Sequence, residues 1–233
     1  MLRVVRWLKR GVYSCVVRAA VLCLLPASRA DVIYQFDNTF SGTNPTGPAP
    51  WVTASLLDIS PGTVELGVSN VNVTTSEKIS ELYLNINTNY NPGNLQFTFL
   101  GGSTGVTAPQ PSLGTDNFKA DGDGKYDILF QFSQPPTNSF GAGDYLIYKI
   151  TGIPTLTSAD FVYLSSPAGG HGPFFSAIHV QGIAATSVTD SGNYSGWVSP
   201  SQVTIVAAPE PAAGALLLLA AGLFGVVRRW PRK

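Results

Sequence analysis

"ISELYLNINT" occupies residues 79–88, and its spacing decides the fold class of the chain. Leu82, Leu84 and Ile86 stand at every second position, with Tyr83, Asn85 and Asn87 between them. Side chains of a β-strand alternate between faces, so this period of two sends the apolar set toward a core and the rest away from it. The pattern returns in "NLQFTFL" (94–100) and in "YDILFQF" (126–132), where it puts Tyr126, Ile128, Phe130 and Phe132 on one face. "WVTASLLDI" (51–59), "TVELGVSNV" (63–71), "DYLIYKIT" (144–151), "DFVYLS" (160–165) and "SAIHVQG" (176–182) read as further strands.

Turn chemistry punctuates these runs: "GTNPTGPAP" (42–50), "NYNPGN" (89–94), "SQPPTNSFGAG" (133–143) and "SSPAGGHGP" (165–173). A helical period is missing between them, and "TSAD" (157–160) holds at most a single turn. Roughly ten short strands with polar turns predict an all-β body, an antiparallel β-sandwich or jelly roll. It spans residues 31–208, long enough for one core without covalent staples.

The two ends of the chain differ from this body. At the N-terminus "MLRVVRWLKR" is positive, "AAVLCLLP" is short and apolar, and "SRA" ends at Ala30 with the small residues that signal peptidase reads. Residues 1–30 are therefore expected to be a signal peptide, although Arg18 interrupts the apolar part. Both cysteines, Cys15 and Cys23, lie inside it, so the mature body has neither disulfide nor thiol chemistry. At the other end, residues 212–227 are sixteen in a row without charge or hydrogen-bonding side chain. As a helix they reach about 24 Å, short of a hydrocarbon core of about 30 Å. Pro209 and Pro211 fix where a helix can begin. Arg228, Arg229, Arg232 and Lys233 form a positive stop beside Trp230.

The order Pro209-Glu210-Pro211, apolar segment, Arg228-Arg229 resembles the PEP-CTERM sorting signal of Gram-negative bacteria, also known as the ice-binding protein C-terminal domain. The resemblance implies a domain order of signal peptide, β-body and sorting signal at 209–233 with a transmembrane helix at 212–227. It also implies processing by exosortase, a membrane protease–transpeptidase. The protein would be anchored in the inner membrane before the cut and reach the cell surface or the polysaccharide matrix of a biofilm afterwards. "NFKADGDGKYDILFQF", "SSPAGGHGPFFSAIHVQGI" and "SGNYSGW" are similar to a recurrent body of one PEP-CTERM group, which implies architecture and destination and no reaction.

Charge narrows the partners. The formal balance is zero, but the body holds four lysines against thirteen carboxylates and so carries about −9. Nucleic acid and anionic lipid both require a positive surface and are excluded as partners of the body. A cation is favoured instead. In "DGDGKYD" (121–127), Asp121, Asp123 and Asp127 are spaced by glycines so that three carboxylates can converge on Ca²⁺. An Asp-Gly turn that opens a strand explains the same residues without a metal.

Catalysis is harder to assemble. "GGSTG" (101–105) fits G-x-S-x-G, but "VTAPQP" follows where a nucleophile elbow needs a helix. His179 alternates within a strand and reads as structural, while the glycines around His171 mark an unusual loop. Trp51, Tyr90, Tyr194 and Trp197 sit in or beside turns, where their rings either stack on sugars or plug the ends of the sandwich. The expectation is a non-enzymatic structural or glycan-binding protein; the alternative is a secreted polysaccharide hydrolase.

Overall fold

A computed structural model describes residues 30–121, 124–135, 137–184 and 194–207. Ala30–Ala207 forms one compact unit. Its twelve strands are β1 (Ala30–Gly42), β2 (Val52–Ser60), β3 (Thr63–Asn70), β4 (Lys78–Leu84), β5 (Gln96–Gly102), β6 (Ser112–Ala120), β7 (Gly124–Gln131), β8 (Phe140–Gly141), β9 (Tyr145–Thr151), β10 (Ser166–Pro167), β11 (Ser176–Ile183) and β12 (Tyr194–Ala207). All pair antiparallel in one sheet of order β10-β7-β4-β11-β12-β1-β2-β3-β9-β5, with β6 added to β7 and β8 to β4.

The sheet folds over on itself into a sandwich. Val52, Ala54 and Leu56 of β2, Val64, Leu66 and Val68 of β3, and Leu146, Tyr148 and Ile150 of β9 alternate inward from one half. They share a core with Leu82 and Leu84 of β4, Ile128 and Phe130 of β7, and Ile178 and Val180 of β11. Aromatic rings join the layers. Phe130 meets Tyr148 with ring centroids 5.3 Å apart and Phe97 of β5 at 5.5 Å, the second pair edge to face. Such pairs add about 0.5–1.5 kcal/mol to the burial of their area.

The outer face of the β7-β4-β11-β12 half carries a second, smaller cluster of Tyr83, Ala120, Tyr126, Leu129 and Ala177. Phe40, Phe118 and Trp197 pack against it. Tyr126 therefore leaves the face that alternation assigns to it: it packs on Tyr83 at 5.4 Å, while Ile128, Phe130 and Phe132 stay in the main core. The break falls at Asp127, opposite the register shift between Leu113 and Phe118 of β6. Tyr83, expected to face away from the core, is likewise buried.

Two further departures have local causes. "DFVYLS" is not a strand. Ser158–Phe161 is a 3₁₀ turn in which the Asp160 carboxylate accepts from the Thr157 N–H and hydroxyl, both at 2.9 Å. Phe161 is then fully buried, and its carbonyl accepts from the Tyr34 hydroxyl at 2.7 Å. β1, β6 and β12 were not legible as strands. β6 is mostly exposed and does not alternate, and β12 contains Gly196 and Pro200. Pairing with β7 and β1 makes them strands.

β1 begins at Ala30, one residue before the expected mature start, and Ala30 is already built in. Its N–H donates to Asp58 Oδ2 at 3.1 Å and its carbonyl accepts from the Ser158 hydroxyl. No helix among the described residues is long and apolar enough to cross a membrane, and segment 212–227 lies outside them.

Phe130→Ala is expected to cost about 3–5 kcal/mol in urea unfolding, because a fully enclosed ring is lost from the junction of the layers. Ile59→Ser, at an exposed position, should change stability by less than about 0.5 kcal/mol.

Candidate functional site

A cleft of about 270 Å³ opens where β4 ends. Asn85, Ile86, Thr88, Tyr90 and Pro92 form one wall, Thr115 and Asp116 of β6 another, and Tyr163, Leu164 and Ser166 a third, with Asp127 among them. Its geometry originates in one carboxylate. Asp127 is 8% exposed, and its two oxygens accept the N–H groups of Ile86 at 3.1 Å and of Asp116 at 2.9 Å. The first bond gives Ile86 a side-chain acceptor just past the end of β4. The second holds the β6 bulge, where Asp116 has a left-handed φ of 49° that aspartate tolerates better than most residues. Burial pushes the Asp127 carboxyl above its ordinary range; the two N–H donors oppose that, and the Asp116 charge adds to it.

The walls are amphipathic. The Tyr90 ring packs against the core, and its hydroxyl lies 3.0 Å from Thr155 Oγ1. Asn85 donates to the Tyr163 carbonyl at 3.2 Å, and Asn87 to Asp160 at 3.0 Å. Thr88, Thr115 and Asp116 are exposed, while Leu164 and Pro92 supply apolar surface. Such a cleft offers ring faces together with short hydrogen-bonding groups.

The outer face is built around His179. Cross-strand register sets it between Glu81 of β4 and Trp197 of β12. Its ring stacks on Trp197 at 4.3 Å with 4° between planes, and Tyr83 lies 5.9 Å from the same indole. Nδ1 is 2.9 Å from the Ser80 hydroxyl and 3.8 Å from Glu81 Oε2, which also accepts from the Tyr83 hydroxyl at 3.0 Å. Ser80 is the bulged residue of β4, between register partners Glu81↔His179 and Ile79↔Val180. A serine–histidine–carboxylate relay needs serine and acid on opposite ring nitrogens. Here both lie on Nδ1, so the arrangement anchors the ring. Burial lowers the His179 pKa, and the charges of Glu81 and Asp121 partly counter that. Burial first, then Glu81, raises the Tyr83 hydroxyl well above its ordinary value.

Residues from three separate stretches, "NFKADGDGKYDILFQF", "SSPAGGHGPFFSAIHVQGI" and "SGNYSGW", meet on this face. Phe118, Ala120 and Tyr126 come from the first, Ala177 and His179 from the second, and Trp197 from the third. Phe174 of the second packs on Phe40 with centroids 4.5 Å apart and planes tilted by 30°, and His171 lies 6.2 Å from Phe40.

The candidate residues separate. Trp51 is buried in the core, and its indole donates to the Gly47 carbonyl at 2.6 Å, so it plugs an end of the sandwich. Tyr194 packs against the same core. Tyr90 lines the cleft and Trp197 the outer face. Of the carboxylates expected at Ca²⁺, Asp121 is exposed in the β6–β7 turn, Asp127 is held by backbone donors, and Asp123 lies outside the described residues. Among the described residues no cluster of three or more His, Cys, Asp or Glu is placed to hold a metal. Ser103 continues the sheet: its N–H donates to the Tyr145 carbonyl at 2.9 Å and its Oγ accepts from the Tyr145 N–H at 3.0 Å. Asn85, Thr115, Asp116 and Tyr163 were not picked out in the sequence. The polar interruption "NINTNY" after an apolar run was the available signal.

Comparison with known proteins bears on the end of the chain. Residues 207–233 match the family model of the PEP-CTERM protein-sorting motif. The chain carries this sorting motif. It marks an exported protein, anchored in the membrane before exosortase processes it. Pro209, Glu210, Pro211, Arg228 and Arg229 fall within the match and outside the described residues. No curated protein matches the chain. Among solved structures, it is similar to one described as biomass-sensing modules from RsgI-like proteins of Clostridium thermocellum that resemble the family 3 carbohydrate-binding module of the cellulosome. The identity is 14%, over 66% of this chain and 93% of that one, with a TM-score of 0.34. A likeness at that level carries no argument. The motif's first residue, Ala207, is also the last of β12 and the register partner of Ala30.

Two measurements check the site. Asp127→Ala strands the N–H groups of Ile86 and Asp116 and is expected to cost about 2–4 kcal/mol in chemical denaturation, with Asp127→Asn losing roughly half as much. His179 binds its proton less readily folded than unfolded, so its contribution is complete above about pH 6.5 and declines as the pH falls through the lowered folded value. A melting curve recorded against pH should show that decline, and His179→Asn should flatten it.

Proposed function

We propose that the body is a structural, glycan-binding component of the cell surface or extracellular polysaccharide, delivered there by the sorting motif, and that it is not an enzyme. The cleft at the end of β4 carries this reading. A sugar ring has apolar faces rimmed by hydroxyls. The cleft sets Tyr90, Tyr163 and Leu164 beside Asn85, Thr88, Thr115 and Asp116, a mixture suited to such a ligand. The acidity of the body favours a neutral or cationic glycan over an anionic one.

The alternative, a polysaccharide hydrolase, would draw on Asp116 and Asp127, which share the cleft. Hydrolysis asks one carboxyl to give or take a proton at the glycosidic oxygen and another to act across the ring. Asp127 spends an oxygen on each of two backbone donors, and its release would dismantle the cleft. Binding is the better use of this geometry.

Full-length protein purified from membranes, applied to a glycan array, is expected to retain a limited set of neutral polysaccharides or oligosaccharides. Tyr90→Ala should weaken retention about tenfold, near 1.4 kcal/mol, and Asp116→Ala by a similar factor. An array without hits, or turnover of any polymer by the same preparation, would overturn the proposal.

A further inference from the structure

We propose that the free edge of β12 over residues 201–207 is a docking strand for exosortase, which grips the folded body in place by strand addition before cutting beside Pro209. The proposal rests on the sorting reading of residues 207–233 and adds to it a part of the body that touches the enzyme.

Among the described residues, residues 203–207 of β12 are paired on one side only. Ala207, Val206, Ile205, Thr204 and Val203 lie opposite Ala30, Asp31, Val32, Ile33 and Tyr34 of β1, whereas the ladder with β11 runs only from Tyr194 to Val198. Ser201, Gln202, Thr204, Ile205 and Val206 are exposed, Ile205 at 56% and Val206 at 44%. The stretch reads "SQVTIVA": no charge, no proline, and four β-branched residues in succession. Open edges of this composition invite pairing with another chain, and proteins ordinarily blunt them with lysine, proline or a covering loop. Here no described strand covers the edge, in a body that is otherwise strongly acidic.

Its position names the occupant. Pro209 lies two residues past the last ladder residue, a reach of at most about 7 Å. A protease holds its substrate extended on both sides of the cut, and strand addition is the common way to do so. A cut beside Pro209 therefore brings the contact into β12. Peeling this segment away instead would uncover Val32 and Tyr34, both fully buried. Asp37 opposes peeling, since its carboxylate accepts the Ser201 N–H and hydroxyl, each at 2.8 Å. The strand is already extended, so gripping its free edge costs little ordering.

The test follows conversion of full-length protein to its processed form by pulse-chase in an exosortase-containing host. Thr204→Lys with Val206→Lys charges the open edge at exposed positions. It should slow processing at least about tenfold while leaving the melting temperature of the purified full-length chain unchanged. Ile33→Cys with Thr204→Cys, a register pair in a chain whose own cysteines lie in the leader, locks β12 onto β1. Once oxidised it should be processed at the wild-type rate. Wild-type processing of the lysine variant would overturn the proposal, as would arrest of the locked one, which would mean that the strand must peel. Loss of a dimer on lysine substitution with processing unchanged would assign the edge to a second copy and also overturn it. Wild-type protein that is never cut, and is indifferent to Glu210→Ala, would remove the sorting reading itself and the docking strand with it.

Discussion

The sandwich depends on one seam, the antiparallel pairing of its first strand with its last. Sheet order places β12 and β1 side by side between the β7-β4-β11 half and the β2-β3-β9-β5 half. Without that ladder there is no single sheet to fold over. The pairing joins residues more than 150 positions apart, so forming it carries the entropic cost of closing almost the whole body into one loop. The seam also brings the two ends of the body, Ala30 and Ala207, together as register partners.

A single buried carboxylate organises the second level. Asp127 gives Ile86 and Asp116 acceptors that the ladder does not supply, and the cleft opens where those bonds replace strand pairing. Ionising a carboxyl in this place costs solvation, and two N–H donors offset the cost. On the other face, Phe118 and Ala120 of β6 and Tyr126 of β7 cluster with Tyr83 and Ala177, and Phe40 and Trp197 pack against them. His179 lies as a flat ring against Trp197. Ser80 lies within hydrogen-bond distance of that ring and Tyr83 donates to Glu81 beside it, so polar contacts fix the ring on the face that the β6–β7 hairpin also packs against.

The strands that faced one core were legible. β3 and β9 alternate throughout, and β2 from Val52 to Leu57, because only one of their faces is buried. β4 and β7 are covered on both faces near Tyr83 and Tyr126, so the period of two was present and the side assigned to Tyr126 was wrong. The cleft was half legible. Tyr90 and Asp127 were singled out, but Asn85, Thr115, Asp116 and Tyr163 come from three segments that approach one another only after β4, β6 and β7 have paired.

By itself the sequence determined that the body is all-β, that it is acidic and without cysteines, and that the chain ends in a sorting motif. Each of these is a property of spacing or composition, which neighbouring residues carry without help from the rest of the chain. Tertiary structure decided which strands meet, that "DFVYLS" becomes a turn capped by Asp160, that Trp51 belongs to the core, and that Asp127 serves backbone donors. Those outcomes turn on which donors and apolar faces remain unpaired once distant strands have come together, and no local pattern records that.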